Sequence, residues 1–183
     1  MLNLNEYKNK ILTFWFSEKS KSLWFAKNVD FDQELTDKFF IIYKEALSLP
    51  DNWNTEDIKL ILALVILFDQ FPRNMFRGKA DAFATDHKAL NLTKYSIKKK
   101  LDDQLTNNEH KQFLYMPLMH SECLDDQKIS LEKFSHLGEE SYKFAIMHKD
   151  VINRYGRFPG RNEALKRQST GIELDFLKEF NHF

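Results

Sequence analysis

One cysteine, five glycines, four prolines and six arginines are all that this chain of 183 residues holds of those types. Each scarcity excludes something. The single thiol, Cys123, forbids an internal disulfide framework and fits a reducing compartment. So few Gly and Pro cannot supply the many turns of a β-sandwich or barrel. Neither sign of charge is in excess: 27 basic and 27 acidic residues leave a formal charge of zero. A bulk electrostatic binder of nucleic acid or acidic lipid needs a basic surplus. The longest apolar run, Leu60 to Phe68, has nine residues, less than half of a membrane span of ~20. The opening MLNLNEYKNK lacks a signal peptide's order of charge, apolar stretch and small-residue cleavage site. The expectation is a soluble cytoplasmic protein with no nucleic-acid or membrane partner. Its residues are 43% hydrophobic, enough for a real core, and are read as a single all-helical domain over 1–183.

Apolar residues recur at three and four positions, not at two, which is the helical period. Leu4, Tyr7, Ile11 and Phe14/Trp15 give a first helix. Asp30 with Gln33 resembles a capping box opening a second, striped by Phe31, Leu35, Phe39, Ile42 and Ala46 and closed by Pro50. A third starts near Asn54 or Thr55 and runs through LILALVILF. Apolar all round, it should be the most buried, and Pro72 is expected to end it by forcing Phe71 out of the helical region. Thr85 or Asp86 can cap a helix reaching about Lys100. Two shorter ones, 107–116 and 122–136, are expected to flank Pro117. Another runs from Glu139 to Tyr155, closed by Gly156 as a left-handed cap. Thr170 with Glu173 is a capping box for a last helix through Leu177 and Phe180. The fold class is therefore all-α, seven to nine helices in stacked antiparallel hairpins. There is no strict 34-residue repeat.

Arginine is the sharpest signal. The 21 lysines are spread along the chain, whereas Arg73, Arg77, Arg154, Arg157, Arg161 and Arg167 fall in two windows. Clustered Arg among general-purpose Lys points to places that need a planar, bidentate, permanently charged fork. The windows also echo each other: Phe71-Pro72-Arg73-Asn74 and Phe158-Pro159-Gly160-Arg161-Asn162 both follow a helix end. In each, Pro stiffens the turn, Phe can anchor it, and Arg-Asn projects polar groups. Between them lies Met116-Pro117-Leu118-Met119-His120-Ser121-Glu122, then Asp125, Asp126 and Gln127.

These segments together resemble a known family. DQFPRNMFRG, AFATD, FLYMPLMHSE with its following Asp-Gln, GRFPGRN with a later ST-x-x-E, and the FWF and WF pairs near the start are similar to the bacterial family catalogued as domain of unknown function 924. The resemblance covers nearly the whole chain. It implies an all-helical, tetratricopeptide-like superhelical fold and little about activity. The chain departs from that pattern at Gly160, where a His is expected, at Cys123, where an acid is expected, and at Lys166, where Gly is expected.

Two functional classes follow. In the first, the Arg-Asn turns and the His-Ser-Glu turn surround a polar pocket for a small anionic ligand, with hydrolytic or acid–base chemistry. Arg73, Asn74, Arg77, Arg157, Arg161 and Asn162 are its candidate ligand-binding residues. Arg73 and Arg161 would clamp the anion, His120 or Glu122 would handle protons, and Asp69 would orient an arginine. In the second, a non-catalytic adaptor binds a protein or peptide, and the motifs form a buried structural ion network. Exposure separates the two: the first needs Arg73, Arg161 and His120 on one solvent-reachable cavity. No cofactor is implied. His120, Glu122, Asp126 and His148 make a conceivable metal set, but no spacing enforces it, and none is assigned. Cys123 is read as a small, semi-buried thiol. The Phe14-Trp15-Phe16 and Trp24-Phe25 runs are read as a hairpin buried on two sides rather than as an exposed aromatic surface.

Overall fold

A computed structural model of the protein describes residues 3–51 and 53–179. Among them there is helix and turn but no strand. The segments are α1 (Leu4–Trp15), α2 (Glu18–Lys21), α3 (Val29–Ala46), α4 (Ile58–Val65), a π-turn (Ile66–Gln70), α5 (Phe71–Met75), α6 (Asp86–Lys98), α7 (Asn108–Met119), α8 (Leu124–Phe134), α9 (Glu139–Tyr155) and α10 (Gly171–Glu179). Short 3-10 turns occupy Ala80–Phe83, Asp102–Gln104 and Pro159–Arg161. Counting the continuous rod from Ile58 to Met75 once, these are nine α-helices among the described residues.

The rod organises the rest. Ile61, Leu62, Ala63, Leu64, Val65, Ile66, Leu67 and Phe68 are all buried, and from Ile61 to Pro72 it has no solvent face. α1, α6 and α7 pack around its first half, and α3 packs on α5. Each fully buried Leu, Ile or Phe of such a helix contributes roughly 1.5–3 kcal/mol relative to exposure. The chain then folds back on itself through α7 onto α8 and α8 onto α9. Val151, Ile152 and Phe158 start a second, small cluster, covered by Tyr155 and Phe176.

Several helix limits differ from the sequence reading, each for a local reason. α3 is capped by Asn28, whose side chain accepts from the Phe31 N–H at 2.9 Å. Asp30 sits inside the first turn, and Gln33 bonds Asp37 instead. α4 is capped by Asp57, not Asn54 or Thr55, because Thr55 uses its hydroxyl to accept from Asp57 N–H and shapes the approach.

Pro72 does not end the rod. Phe71 keeps helical angles (φ −60°, ψ −40°) and its N–H reaches back to the Ile66 carbonyl. That one wide turn puts Pro72 in the first turn of α5, where a missing N–H is tolerated. The Phe68 carbonyl that the missing N–H would have served takes the Thr85 hydroxyl at 2.7 Å instead. Pro117 likewise lies inside α7 rather than between two helices. It falls in the last turn, where only a short stretch of ladder follows it.

Other readings coincide with the structure. Gly156 closes α9 at φ 68°, a left-handed conformation that suits a residue without Cβ. Thr170 and Glu173 exchange reciprocal bonds, Thr170 N–H to Glu173 Oε2 at 2.7 Å and Glu173 N–H to Thr170 Oγ1 at 3.3 Å. α10 passes Leu177; Phe180 lies outside the described residues. Cys123 is exposed rather than semi-buried. The aromatic hairpin is graded: Trp15 is buried, Phe14, Phe16 and Trp24 are half-buried, and Phe25 is exposed.

Candidate functional site

The π-turn is where fold becomes site. A wide turn displaces the following side chains from the ordinary helical register, and such turns are frequent at functional positions. Here it carries Asp69 and Gln70. The three successive carbonyls at its end are each taken by a side-chain donor: Phe68 by Thr85, Asp69 by Arg73, Gln70 by Asn74. These side chains brace the turn where the ladder loses the Pro72 N–H.

Asp69 is completely buried. Its carboxylate accepts from His120 Nδ1 at 2.8 and 3.0 Å and from the Gln70 side chain, and Arg73 Nη1 lies 3.2 Å away. Burial alone would raise its pKa. The charges of Arg73 and His120 and the hydrogen bonds from His120 and Gln70 outweigh burial and hold the carboxyl well below the usual carboxylate range. Arg73 is also locked to Asp86, at the start of α6, through two parallel bonds of 2.7 and 2.9 Å. Between them, Asp69 and Asp86 neutralise Arg73.

His120 is the residue after the last turn of α7, so its carbonyl is one of the orphans at a helix end. Arg161 Nη2 donates to that carbonyl at 2.9 Å. The guanidinium of Arg161 lies over the rings of Phe158 and Phe83, 4.5 and 4.8 Å from their centroids. Its contact with a carboxylate is the long one, 3.5 Å from Nη1 to Asp86 Oδ2. Burial, then the like charge of Arg73, bring its pKa down to about 10 against the weaker opposing pull of Asp86. Arg161 is thus a cation largely withdrawn from solvent, 13% exposed, whose carboxylate contact is long and shared with Arg73.

Arg73, Phe83, His120, His148, Phe158, Gly160 and Arg161 line one cavity of ≈ 180 Å³. Solvent reaches it: the side chains of Arg73 and His120 are 20% and 13% exposed. The imidazoles of His120 and His148 lie 6.2 Å apart, and His148 Nδ1 is 2.8 Å from the Phe144 carbonyl. Both rings are harder to protonate than a free histidine, chiefly through burial. The charge of Arg73 adds to this at His120, where Asp69 opposes it, and the charges of His120 and Arg161 add to it at His148.

Of the nine residues singled out from sequence, Asp69, Arg73, His120 and Arg161 come together here. The other five stand elsewhere. Glu122 accepts two bonds from Arg167, 2.8 and 3.0 Å, and one from the Phe158 N–H. Arg77 pairs with Asp32 and Arg157 with Glu173, each through two nitrogens. Asn74 and Asn162 are buried. Each spans its own turn, donating to Gln70 O or Ser169 Oγ and accepting from Arg77 or Arg167. Asp126, weighed for a metal, pairs with Lys94. Among the described residues no three His, Cys, Asp or Glu side chains gather in a way that could hold a metal ion.

Sequence reasoning underrated three contributors. Asp86 was read only as a helix cap, yet it bridges both arginines. Phe83, in the same AFATD segment, supports both guanidinium groups. His148 was weighed only as a metal ligand. A signal for it existed: it lies three residues after Ala145 and four before Ile152, on the buried stripe of α9.

No helix among the described residues is long and apolar enough to cross a membrane. No curated protein matches the chain. A solved structure, that of a protein of unknown function from Agrobacterium tumefaciens, is similar over 97% of this chain and 100% of that one, with 31% identity and a TM-score of 0.89. A family model described as bacterial protein of unknown function, DUF924, matches residues 11–181, and on that match the chain belongs to this family.

Proposed function

We propose that the cavity binds a small anionic ligand, a carboxylate or phosphate, and that the Asp69–His120 pair moves a proton on it. The observation that carries this reading is that a half-buried arginine, with only a long and shared carboxylate contact, and an imidazole backed by a buried aspartate line the same cavity. A buried charge is stable only when compensated, and an anion would complete the compensation of Arg161. Its planar fork suits two oxygens of one group. Arg73 stands behind it, fixed by Asp69 and Asp86.

The proton chemistry follows from His120. Asp69, ionised, takes the hydrogen on Nδ1, so the neutral ring presents the lone pair of Nε2. An aspartate that fixes the tautomer and orientation of a histidine is the arrangement of a general base. Among the described residues no Ser, Thr or Cys lines the cavity, and the reaction that His120 suits is proton transfer or attack by a water that it deprotonates. Stacked helix pairs in a tetratricopeptide-like superhelix would supply the frame, but fold analogy carries none of this argument.

The test is the thermal midpoint of the protein with phosphate, pyrophosphate, nucleotides and small carboxylates, against chloride at matched ionic strength. A ligand at about 100 times its dissociation constant adds roughly 2.7 kcal/mol. The expected result is a shift with at least one oxyanion that vanishes in Arg161→Lys. No shift with any anion would leave the sealed ion network and a protein partner as the better reading.

A further inference from the structure

The polar atoms around the cavity differ in kind, and the difference selects among anions. Arg161 can only donate. The histidines are fixed by their outer partners. His148 Nδ1 faces the Phe144 carbonyl, which only accepts, so that nitrogen carries the hydrogen. His120 Nδ1 faces the Asp69 carboxylate, which also only accepts. In a neutral imidazole the other nitrogen is then an acceptor. The site therefore combines a donor fork with an acceptor nitrogen on His120, and His148 is held in the same tautomer on the same cavity.

We infer that the ligand of this cavity is an oxyanion that also carries a hydroxyl hydrogen, such as hydrogen phosphate or a 2-hydroxycarboxylate, with its oxygens on Arg161 and its O–H donated to His120 Nε2. The inference rests on the anion-binding reading above and sharpens it. A fully deprotonated anion of the same shape sets an oxygen lone pair against the lone pair of His120. It leaves one hydrogen bond unmade and two acceptors opposed, a mismatch that protein sites use to reject close analogues. The groups facing His120 are Asp69 and Arg73 from the rod, Asp86 from α6, His148 from α9 and Arg161 from the 3-10 turn. Of these, only His148 shares its range of titration. The low protonation tendency of both rings keeps the acceptor form dominant at neutral pH.

Two matched pairs of probes test this by calorimetric titration at pH 7.5: inorganic phosphate against sulfate, and glycolate against acetate. Phosphate, mainly, and sulfate are tetrahedral dianions there, but only phosphate keeps an O–H. The expected result is about tenfold or greater preference for phosphate or for glycolate within its pair. Whichever pair shows it identifies the ligand as phosphate or hydroxycarboxylate. The preference for glycolate over acetate, both of which keep their charge in this range, should shrink or invert as pH falls and Nε2 gains a proton, a change that needs no variant. His120→Phe, which removes the acceptor nitrogen, should abolish it. Equal affinities within both pairs at pH 7.5, or preference for sulfate and acetate, would overturn the inference while leaving the anion site standing. No binding of any of the four would remove the site itself.

Discussion

Arg73 and Arg161 each follow a Phe-Pro pair, yet they reach the cavity in different electrical states. The first turn is embedded in the rod, between a π-turn and α5, and its arginine meets two aspartates at close range. The second is a 3-10 turn beyond the glycine cap of α9, and its arginine has a carbonyl, two phenyl rings and the far edge of an already shared carboxylate. The neighbouring asparagines behave alike in both: buried, each accepts from an arginine farther along the chain. One sequence pattern thus makes a neutralised scaffold where acids surround it and leaves a less compensated arginine where they do not, the one proposed above to take an anion. The side chain is the same; the compensation of its charge differs.

The largest expected effect breaks the scaffold half. Asp69→Ala leaves Arg73 and His120 facing each other without their acid, and removing one partner of a buried pair costs roughly 3–5 kcal/mol. Urea denaturation measures it; a loss under about 1 kcal/mol would mean that the first turn is not held by this network.

The next test splits the two arginines directly. Without ligand, Arg73→Lys gives up the paired bonds to Asp86 and should lose roughly 1.5–3 kcal/mol, the range for charged hydrogen bonds. Arg161→Lys should lose clearly less in the same denaturation experiment. With an effective anion the order inverts, because Arg161→Lys forfeits the added stabilisation. If both variants lose stability equally without ligand and neither changes the response to anions, the contrast between the turns is false.

Acid should act on the histidines of the cavity before it acts on carboxylates. His120 and His148 resist protonation when folded, so below the ordinary histidine value of about 6.5 the unfolded chain binds more protons. Stability therefore falls as pH drops through that window. Depressed carboxyls such as Glu122 and Glu173 begin to contribute only nearer their own unfolded range, and with the same sign. Midpoints of unfolding between pH 8 and 5 should decline already before pH 5 in the wild type. They should be flatter in His148→Gln.

The smallest effect concerns the backbone beyond the second turn. Lys166 sits at φ 54°, a left-handed conformation that costs a residue with Cβ roughly 1–2 kcal/mol relative to glycine. Lys166→Gly should raise stability by up to about 1 kcal/mol, since glycine's larger unfolded-state entropy offsets part of the relief. The resemblance to the family pattern asks for glycine at this place, and the angle supplies the reason. A decrease in the melting point would show that the lysine side chain outweighs the strain.

Much of the fold was legible because its signals are local. The stripe of α3, the all-round apolar run of the rod, the Gly156 cap and the Thr170–Glu173 box depend on spacing within one or two turns. Pro72 misled because a proline's local effect is to stop a helix, whereas here a hydroxyl from residue 85 satisfies the carbonyl it leaves bare. That compensation is distant in sequence and has no local mark. The candidate site divides the same way. Arginine clustering pointed to Arg73 and Arg161, but it pointed equally to Arg77 and Arg157, which meet Asp32 and Glu173 instead.

The amino-acid sequence by itself determined the helical class, the order of most elements and the short list of groups able to carry charge, because periodicity, caps and residue chemistry are properties of neighbours along the chain. Only the tertiary structure decided which arginine is neutralised, which partners face Nδ1 of His120 and of His148, and that His120, His148 and Arg161 share one cavity. Charge compensation and hydrogen-bond direction are set by what lies opposite a side chain in space. For this protein those opposites are Asp69 for His120, 51 residues apart, and the His120 carbonyl for Arg161, 41 residues apart.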